Sequence, residues 1–239
     1  MEATKARQDL LSPWIELTRF WAELEPVSRH ELWNGANLLE YEQGDVITVQ
    51  FGLMISGTAA MEYVLANGRR SLVELFHSGD LLDASRHERQ PQGKMIALGY
   101  CALISLDSEE FERCARHHQD VLSAYRKQLQ DQTGRLRDHI NDLAVKTPIE
   151  RIVATLFELR RWPEDDKSNV ATTALPILRK DIAAYLGLRP ETLSRALKKL
   201  THHGLISIGP ESDAITLNDL PKLRLVANGK GQKLLGDAA

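Results

Sequence analysis

The spacing of apolar residues along the chain changes from one region to the next. Residues 1–37 show the periodicity of a helix whose apolar stripe packs on a neighbouring domain. The stripe consists of Trp14, Leu17, Phe20, Trp21 and Leu24. From residue 38 to 106 the apolar residues instead form short alternating runs that glycines and polar turns interrupt, with a hairpin signal at Asn67-Gly68. Short strands at such spacing predict an antiparallel β-barrel or jelly roll.

Residues 108–145 return to a helical pattern, and the helix from about residue 120 carries a leucine at every seventh position. Each of the first three leucines is followed three residues later by Tyr125, Gln132 or His139. The predicted seam is therefore Leu122, Tyr125, Leu129, Gln132, Leu136, His139 and Leu143. A sustained interval of seven favours a parallel helix pair between two subunits, and hence a homodimer. Gln132 and His139 would fix its register, and His139 would make dimerisation sensitive to pH.

A hinge is predicted at Lys146-Thr147-Pro148, where a new helix begins. Thr147 and Glu150 have the spacing of a capping box, and Pro148 occupies the first helical position. A short strand is predicted in TALPILR, and LISIG and AITLND after Gly204 predict a two-stranded wing.

A helix-turn-helix is predicted between the hinge helix and the wing, in residues 178–204. Apolar residues recur at helical spacing on both of its helices: Ile182, Ala183 and Leu186 on the first, and Leu193, Ala196, Leu197 and Leu200 on the second. Gly187 allows the turn, and Pro190 begins the second helix.

The predicted fold is α+β, with a β-barrel, a long dimerisation helix and a winged helix-turn-helix. We divide the chain into residues 1–107 (barrel with an N-terminal helix), 108–145 (helices including the dimerisation helix), 146–222 (winged helix-turn-helix) and 223–239 (flexible tail).

Charge sharpens this interpretation. The chain has a formal net charge of -3, yet residues 178–204 contain six basic side chains against two acidic ones. Solvated helix faces alone would not explain why basic residues coincide with helix-turn-helix spacing. A local basic cluster on this motif favours DNA as the partner.

The same segment resembles the DNA-reading part of the Crp/Fnr regulators. Glu191-Thr192-Leu193-Ser194-Arg195 is similar to the recognition helix of the Fnr branch, whereas Arg189 departs from the Ser or Thr usual at that N-cap. The resemblance implies that the barrel is like the cyclic-nucleotide-binding domain and that the half-site is TTGA-like. It also implies a cytoplasmic homodimeric transcription regulator, with RNA polymerase as a further partner.

Side-chain chemistry supports roles on DNA for specific residues. Arg195 can donate to guanine, Glu191 can accept from cytosine and Ser194 can contact a thymine edge, so these three are the candidate base contacts. Candidate phosphate contacts are Lys180, Arg189, Thr192 and, more weakly, Arg179, Lys198 and Lys199.

The resemblance does not extend to a nucleotide ligand. Asp83-Ala84 stands where nucleotide-binding members have Gly-Glu, and Lys94 begins the run where they have an arginine. A cyclic phosphate would lose its bidentate partner and meet the charge of Asp83. Asp83, Lys94 and Gln132 are retained as the candidate effector pocket.

No cofactor is assigned. No cysteine precedes Cys101, so the N-terminal iron–sulfur centre of the Fnr branch lacks its ligands. Haem stays open, since relatives sense gases through haem and histidines are available at positions 77, 87, 117, 118 and 139. Cys114, His117 and His118 lie close on one helix, but without a further ligand nearby no metal site is predicted.

A cytoplasmic location follows from composition as well. No apolar run approaches the roughly 20 residues that span a membrane, and the N-terminus lacks a secretory apolar region. Cys101 and Cys114 are therefore expected to be reduced thiols.

Enzyme motifs are lacking, so we expect a regulator that binds double-stranded DNA. A dimer switched by a ligand or modification and a constitutively competent one, as in the Fix-type branch, are equally compatible with the residues. Two alternatives stay open: a haem- or small-molecule-responsive member of the same family, and a signal-binding module that acts through a protein partner.

Overall fold

The computed structural model describes residues 18–83, 93–160, 171–173, 178–209, 215–231 and 235. The chain forms two compact units: one contains Met1–Arg69 with Val73–Leu136, and the other contains Arg70–Leu72 with Arg137–Ala239. The division therefore falls within the longest helix.

The first unit contains short helices, seven strands and the greater part of that helix. Its elements are α1 (Arg19–Ala22), α2 (Pro26–Trp33), β1 (Asn37–Tyr41), β2 (Phe51–Ser56), β3 (Thr58–Val64), β4 (Arg70–His77), β5 (Leu81–Asp83), β6 (Gly93–Ala97), β7 (Cys101–Ser105), α3 (Ser108–His117) and α4 (Gln119–Val145). One continuous N-terminal helix was expected, but Pro26 begins a separate helix, since proline suits a first helical position. Trp14 and Leu17 of the predicted stripe lie outside the described residues, while Phe20, Trp21 and Leu24 are buried.

Two antiparallel sheets form the predicted barrel. One has the order β1-β7-β2-β5 and the other β4-β3-β6. Side chains from both sheets share one core, among them Met54, Met61, Phe76, Met95 and Leu103. The hairpin predicted at Asn67-Gly68 is present, and Gly68 has the positive φ (79°) that glycine adopts without strain.

A second core lies on the outer side of the first sheet. Leu53 and Ile55 of β2 alternate with Met54 and pack against the helices, where they meet Phe20 and Phe111. Strands buried on both faces explain why β2 and β7 read as nearly continuous apolar runs.

One face of α4 is fastened to the barrel by polar contacts. The Tyr125 hydroxyl donates to Asp83 Oδ2 (2.7 Å), Gln128 Nε2 to the carbonyl of Gly79 (2.9 Å), and Gln132 Nε2 to the carbonyl of Leu81 (2.8 Å). Arg135 Nη2 donates to Asp80 Oδ2 at 2.8 Å.

These contacts correct part of the predicted seam. Tyr125 and Gln132 contact the barrel of their own chain, and His139 stacks on Tyr185 within the second unit. Gln132 is 1% exposed, so it is not available to a second subunit. The seam prediction was wrong for Gln132 and His139, which are buried against their own chain, whereas the partly exposed Tyr125 and the leucines stay a prediction.

The second unit consists of helices and a small three-stranded sheet of order β8-β10-β9. Its elements are α5 (Pro148–Arg160), β8 (Ala171–Thr173), α6 (Arg179–Tyr185), α7 (Pro190–His202), β9 (Ile206–Ile208), β10 (Ile215–Leu217), α8 (Leu220–Leu225) and a π-helical turn (Val226–Lys230). Strand β8 overlaps the strand expected in TALPILR at Thr173 and pairs with β10, whereas residues 174–177 of that prediction lie outside the described residues.

Two local predictions for this unit have clear outcomes. The hinge helix begins as expected, because Glu150 Oε2 accepts a hydrogen bond from the Thr147 N–H at 2.8 Å. The tail prediction was wrong for residues 223–227, where Leu223 and Val226 are fully buried and the backbone stays helical up to the kink at Asn228 and Gly229. Across the described part of the chain, no helix combines the length and apolar character required to cross a membrane.

Candidate DNA interface

The turn between α6 and α7 is fixed by backbone hydrogen bonds. Helix α6 ends at Tyr185 with Leu186 as its C-cap residue, and Gly187 follows with φ 61°. The Leu188 N–H then donates to the carbonyl of Ala183 at 2.9 Å, which is the Schellman arrangement that satisfies a helix C-terminus. Gly187 is therefore required by conformation, as the sequence predicts.

Helix α7 is oriented by its buried side. Leu193, Leu197 and Leu200 are at most 1% exposed, and their spacing gives the helix a single apolar face. Arg189 is the N-cap residue and forms no side-chain cap, so the helix starts on the fixed φ of Pro190 alone. The unusual N-cap noted in the sequence is thus real, and it leaves the Arg189 side chain exposed.

The three candidate base contacts lie on the opposite, accessible face of α7. Glu191 and Arg195 are exposed, and Ser194 is partly exposed. Residues at i, i+3 and i+4 project from neighbouring positions on a helix. Within the described residues neither Glu191 nor Arg195 has an ion pair, including with each other. Both charges are consequently available to a ligand.

The candidate phosphate contacts are more varied. Lys180, Arg189 and Lys198 are exposed, Thr192 is partly exposed, and Arg179 is exposed although it has an interaction elsewhere. Lys199 is half-buried and likewise engaged. Lys180, Arg189 and Lys198 are therefore better placed for phosphate than Arg179 and Lys199.

Helix α6 has structural support that the sequence did not reveal. The His139 ring stacks on Tyr185 with centroids 3.9 Å apart and planes 9° from parallel, and the Tyr185 hydroxyl reaches the Glu158 carboxylate at 3.3 Å. Arg151 Nη1 donates to the carbonyl of Leu186 at 3.3 Å. These contacts join α4, α5 and α6 within the second unit. No local sequence motif predicts these contacts, because the residues that form them are far apart in sequence.

Burial lowers the pKa of His139, and Arg151 lowers it further, while Asp142 and the Tyr185 backbone act in the opposite direction. The folded chain therefore opposes protonation of this ring more than water does. Protonation of His139 would therefore act on its stacking with Tyr185 of α6. The sequence analysis had expected it to act on the dimer seam.

The candidate effector pocket is only partly assembled. Asp83 and Gln132 both lie where α4 meets β5, but each contacts that helix or strand directly. Lys94 is exposed on β6, opposite Glu62 of β3. The structure thus brings Asp83 and Gln132 together where α4 contacts β5, and it leaves Lys94 on the other sheet.

The histidines that left haem open occupy separate positions. His77 is buried beside Thr58, with His77 Nδ1 3.5 Å from Thr58 Oγ1, and His139 is stacked on Tyr185. His117 is exposed, and His87 lies outside the described residues. Of these histidines that the structure describes, His118 approaches other metal-binding side chains, namely Glu31 and Cys114.

The chain is similar to known transcription regulators. Residues 150–226 match the Crp-like helix-turn-helix domain family. Over 162 residues the chain is 30% identical to the nitrogen fixation regulation protein FixK of Bradyrhizobium diazoefficiens, with 68% of each chain covered.

Solved structures agree in fold. FixK2 from Bradyrhizobium japonicum has a TM-score of 0.66 and 24% identity, and the match covers 85% of this chain and 99% of that one. A transcriptional regulator of the CRP/FNR family from Thermus thermophilus has a TM-score of 0.61 and 21% identity, covering 82% and 100%.

Proposed function

This chain belongs to the Crp/Fnr family of DNA-binding transcription regulators, and we propose that it binds a TTGA-like palindrome as a homodimer, without a cyclic nucleotide. The observation that carries the proposal is the accessible face of α7. It presents Glu191, Ser194 and Arg195 at helical spacing, and neither of its two charges is neutralised within the described chain. RNA polymerase is the second partner that we propose.

Base reading by this face follows from donor and acceptor geometry. Arg195 can donate two hydrogen bonds to O6 and N7 of guanine, and Glu191 can accept from N4 of cytosine. Ser194, one position before Arg195, suits a thymine edge. Exposed Lys180 and Lys198 would contact phosphates and fix the register of the helix in the groove.

Dimerisation is supported by the outward side of α4. Ile140 is 64% exposed and Leu143 38%, although both are large apolar side chains. Leu122, Leu129 and Leu136 continue this row at heptad spacing and are only partly buried. Thr133 and Ile140 each follow a leucine by four residues, so the row has the d-to-a spacing of a paired helix. A second copy of α4 would cover it, and the resulting dimer would match two half-sites spaced one helical turn, about 34 Å, along the DNA.

Independence from a cyclic nucleotide is supported where α4 meets the barrel. The Asp83 carboxylate accepts a hydrogen bond from Tyr125, and the Gln132 amide is bonded to the β5 backbone. A phosphate placed there would face the negative charge of Asp83 and would compete with contacts that already exist.

Selection of bound oligonucleotides by the purified chain tests the proposed operator. We expect an inverted repeat containing TTGA, no dependence on added cyclic nucleotide and no visible chromophore. A Soret band would favour the haem-responsive alternative, and a lack of preference for any inverted repeat would favour action through a protein partner. Either result contradicts the corresponding part of the proposal.

Dimerisation is tested with an adjacent pair of substitutions on α4. Ile140→Glu places a charge in the proposed seam and should shift sedimentation from dimer to monomer. Asn141→Glu adds the same charge at an exposed neighbouring position and should leave the dimer intact. Equal behaviour of the two variants would exclude this face as the interface.

A further inference from the structure

The first unit contains a group of metal-binding side chains that is independent of the DNA interface. Glu31 on α2, Cys114 on the last turn of α3 and His118 directly after α3 bring one ligand atom each within 4.8 Å of the others. His118 Nε2 and Glu31 Oε1 are 3.2 Å apart. We propose that these three residues bind one divalent transition-metal ion, with zinc as the best fit to the donors.

The spacing of the three donors is close to what such an ion requires. Zinc bonds of about 2.0 to 2.3 Å in tetrahedral geometry place ligand atoms roughly 3.3 to 3.8 Å apart. The Glu31–His118 pair already lies near that range, and the group needs to contract by only about 1 Å elsewhere. Cys114 and His118 are four residues apart, and Glu31 supplies the ligand that could not be identified from sequence.

The backbone that carries these donors is held by other contacts. Asp120, at the start of α4, accepts hydrogen bonds from the Glu25 N–H (2.8 Å) and from Ser28 Oγ (3.1 Å), which join α4 to the beginning of α2. The His118 N–H donates to the carbonyl of Cys114 at 2.8 Å. These contacts hold the backbone around all three ligand side chains before an ion binds.

Donor chemistry favours a borderline ion over a hard one. A thiolate with an imidazole and a carboxylate suits zinc and related metals, whereas magnesium and calcium prefer oxygen alone. The Glu31 side chain is 45% exposed and that of His118 23%, so the ion can enter from solvent and retain a water as its fourth ligand.

Other roles for Cys114 fit less well. Burial, with the nearby Glu31 and Asp120 carboxylates, raises its pKa to about 11. A redox-sensing or nucleophilic cysteine needs a readily formed thiolate, which this environment opposes. A bound metal ion would supply the positive charge that stabilises the thiolate.

The test is a cobalt titration of the reduced, metal-stripped full chain. A sulfur-to-cobalt charge-transfer band should appear, saturate at one ion per chain and disappear when zinc is added. Surface histidines cannot produce this band, because it requires a thiolate ligand. Absence of the band would overturn the proposal.

Matched variants assign the site. C114S should abolish the band, whereas C101S should retain it, because Cys101 is buried elsewhere and donates to the Thr58 carbonyl. H118Q should weaken cobalt binding at least about tenfold, while H117Q, at an exposed neighbour, should leave it unchanged. A band that survives in C114S, or an equal effect of H118Q and H117Q, would contradict the assignment. Circular dichroism confirms folding, and if C114S is unfolded, the histidine pair decides the question.

Discussion

Polar side chains gather on one face of α4 and on one face of α7, but they are used in opposite ways. On α4, Gln128 and Gln132 donate to barrel carbonyls, and Arg135 donates to the buried Asp80. On α7, Glu191 and Arg195 are exposed and have no ion pair in the described chain. The α4 contacts stabilise the first unit, whereas the α7 groups stay available for a partner.

The difference follows from desolvation. A buried polar group must find a partner within the fold, and losing that partner costs stability. An exposed charge is solvated by water, which a ligand can displace. Substitutions of the barrel-bonded polar residues of α4 should therefore change the free energy of unfolding, and substitutions of Glu191 and Arg195 on α7 should change DNA binding alone.

Arg135→Ala should have the largest effect on stability. It removes the cation from Asp80, whose side chain is 1% exposed, while leaving the His77 N–H bonded to the same carboxylate. We expect a loss of about 3 kcal/mol in the free energy of unfolding. Urea denaturation measures it, and Arg137→Ala, at an exposed position two residues later, should cost at most about 0.5 kcal/mol. Similar losses for the two variants would show that the Asp80 contact is unimportant.

Arg195→Ala should reverse this pattern. Discrimination at one G·C pair should fall by about 1 to 3 kcal/mol in binding titrations across operator variants. The urea midpoint should hardly change, because the residue is exposed. Lys180→Ala serves as the control and should weaken all sequences about equally. If Arg195→Ala reduces affinity for specific and random DNA to the same extent, Arg195 does not read a base.

Gln132→Leu tests the polar contacts that the buried Gln132 amide makes on α4. The substitution keeps the side-chain volume but removes the donor to the Leu81 carbonyl, which should cost about 1 kcal/mol of unfolding free energy. Gln130→Leu at an exposed position is the matched control. A neutral result for Gln132→Leu would indicate that the carbonyl is satisfied in another way.

Local sequence signals were reliable where the cause is local. Gly187 and Pro190 determine a turn and a helix start through their own backbone preferences, and the structure has both. The leucines at every seventh position lie on one side of α4 and are partly buried or exposed, and their pairing with a second subunit stays a prediction. Residue types could not show which neighbouring row faces the barrel, since that depends on Asp80, Leu81 and Asp83, some fifty residues earlier.

The same limit explains two further differences. Leu223 and Val226 were assigned to a flexible tail among lysines and glycines, because the core that buries them is formed by distant residues. Glu31 likewise joins Cys114 and His118 only once α2 packs beside α3. In both cases the missing information was tertiary contact.

His139 offers the smallest and most specific test of the difference between α4 and α7, since the fold disfavours a charge on this α4 residue. Burial lowers the pKa of the folded-state ring below the ordinary value of 6.5. As pH falls through about 6.5, the unfolded chain therefore takes up a proton that the folded chain resists, and stability decreases until the folded-state pKa is passed. His139→Phe keeps an aromatic ring on Tyr185 but cannot titrate, so its stability should vary less between about pH 7.5 and pH 5. Urea denaturation at both pH values measures the difference.

The dimerisation constant should show no such dependence on His139, because the ring faces Tyr185 of its own chain. If the parent chain and His139→Phe show identical pH profiles of unfolding, the folded chain protonates His139 as readily as the unfolded chain does. The His139 position on α4 would then accommodate a charge, as the exposed face of α7 does.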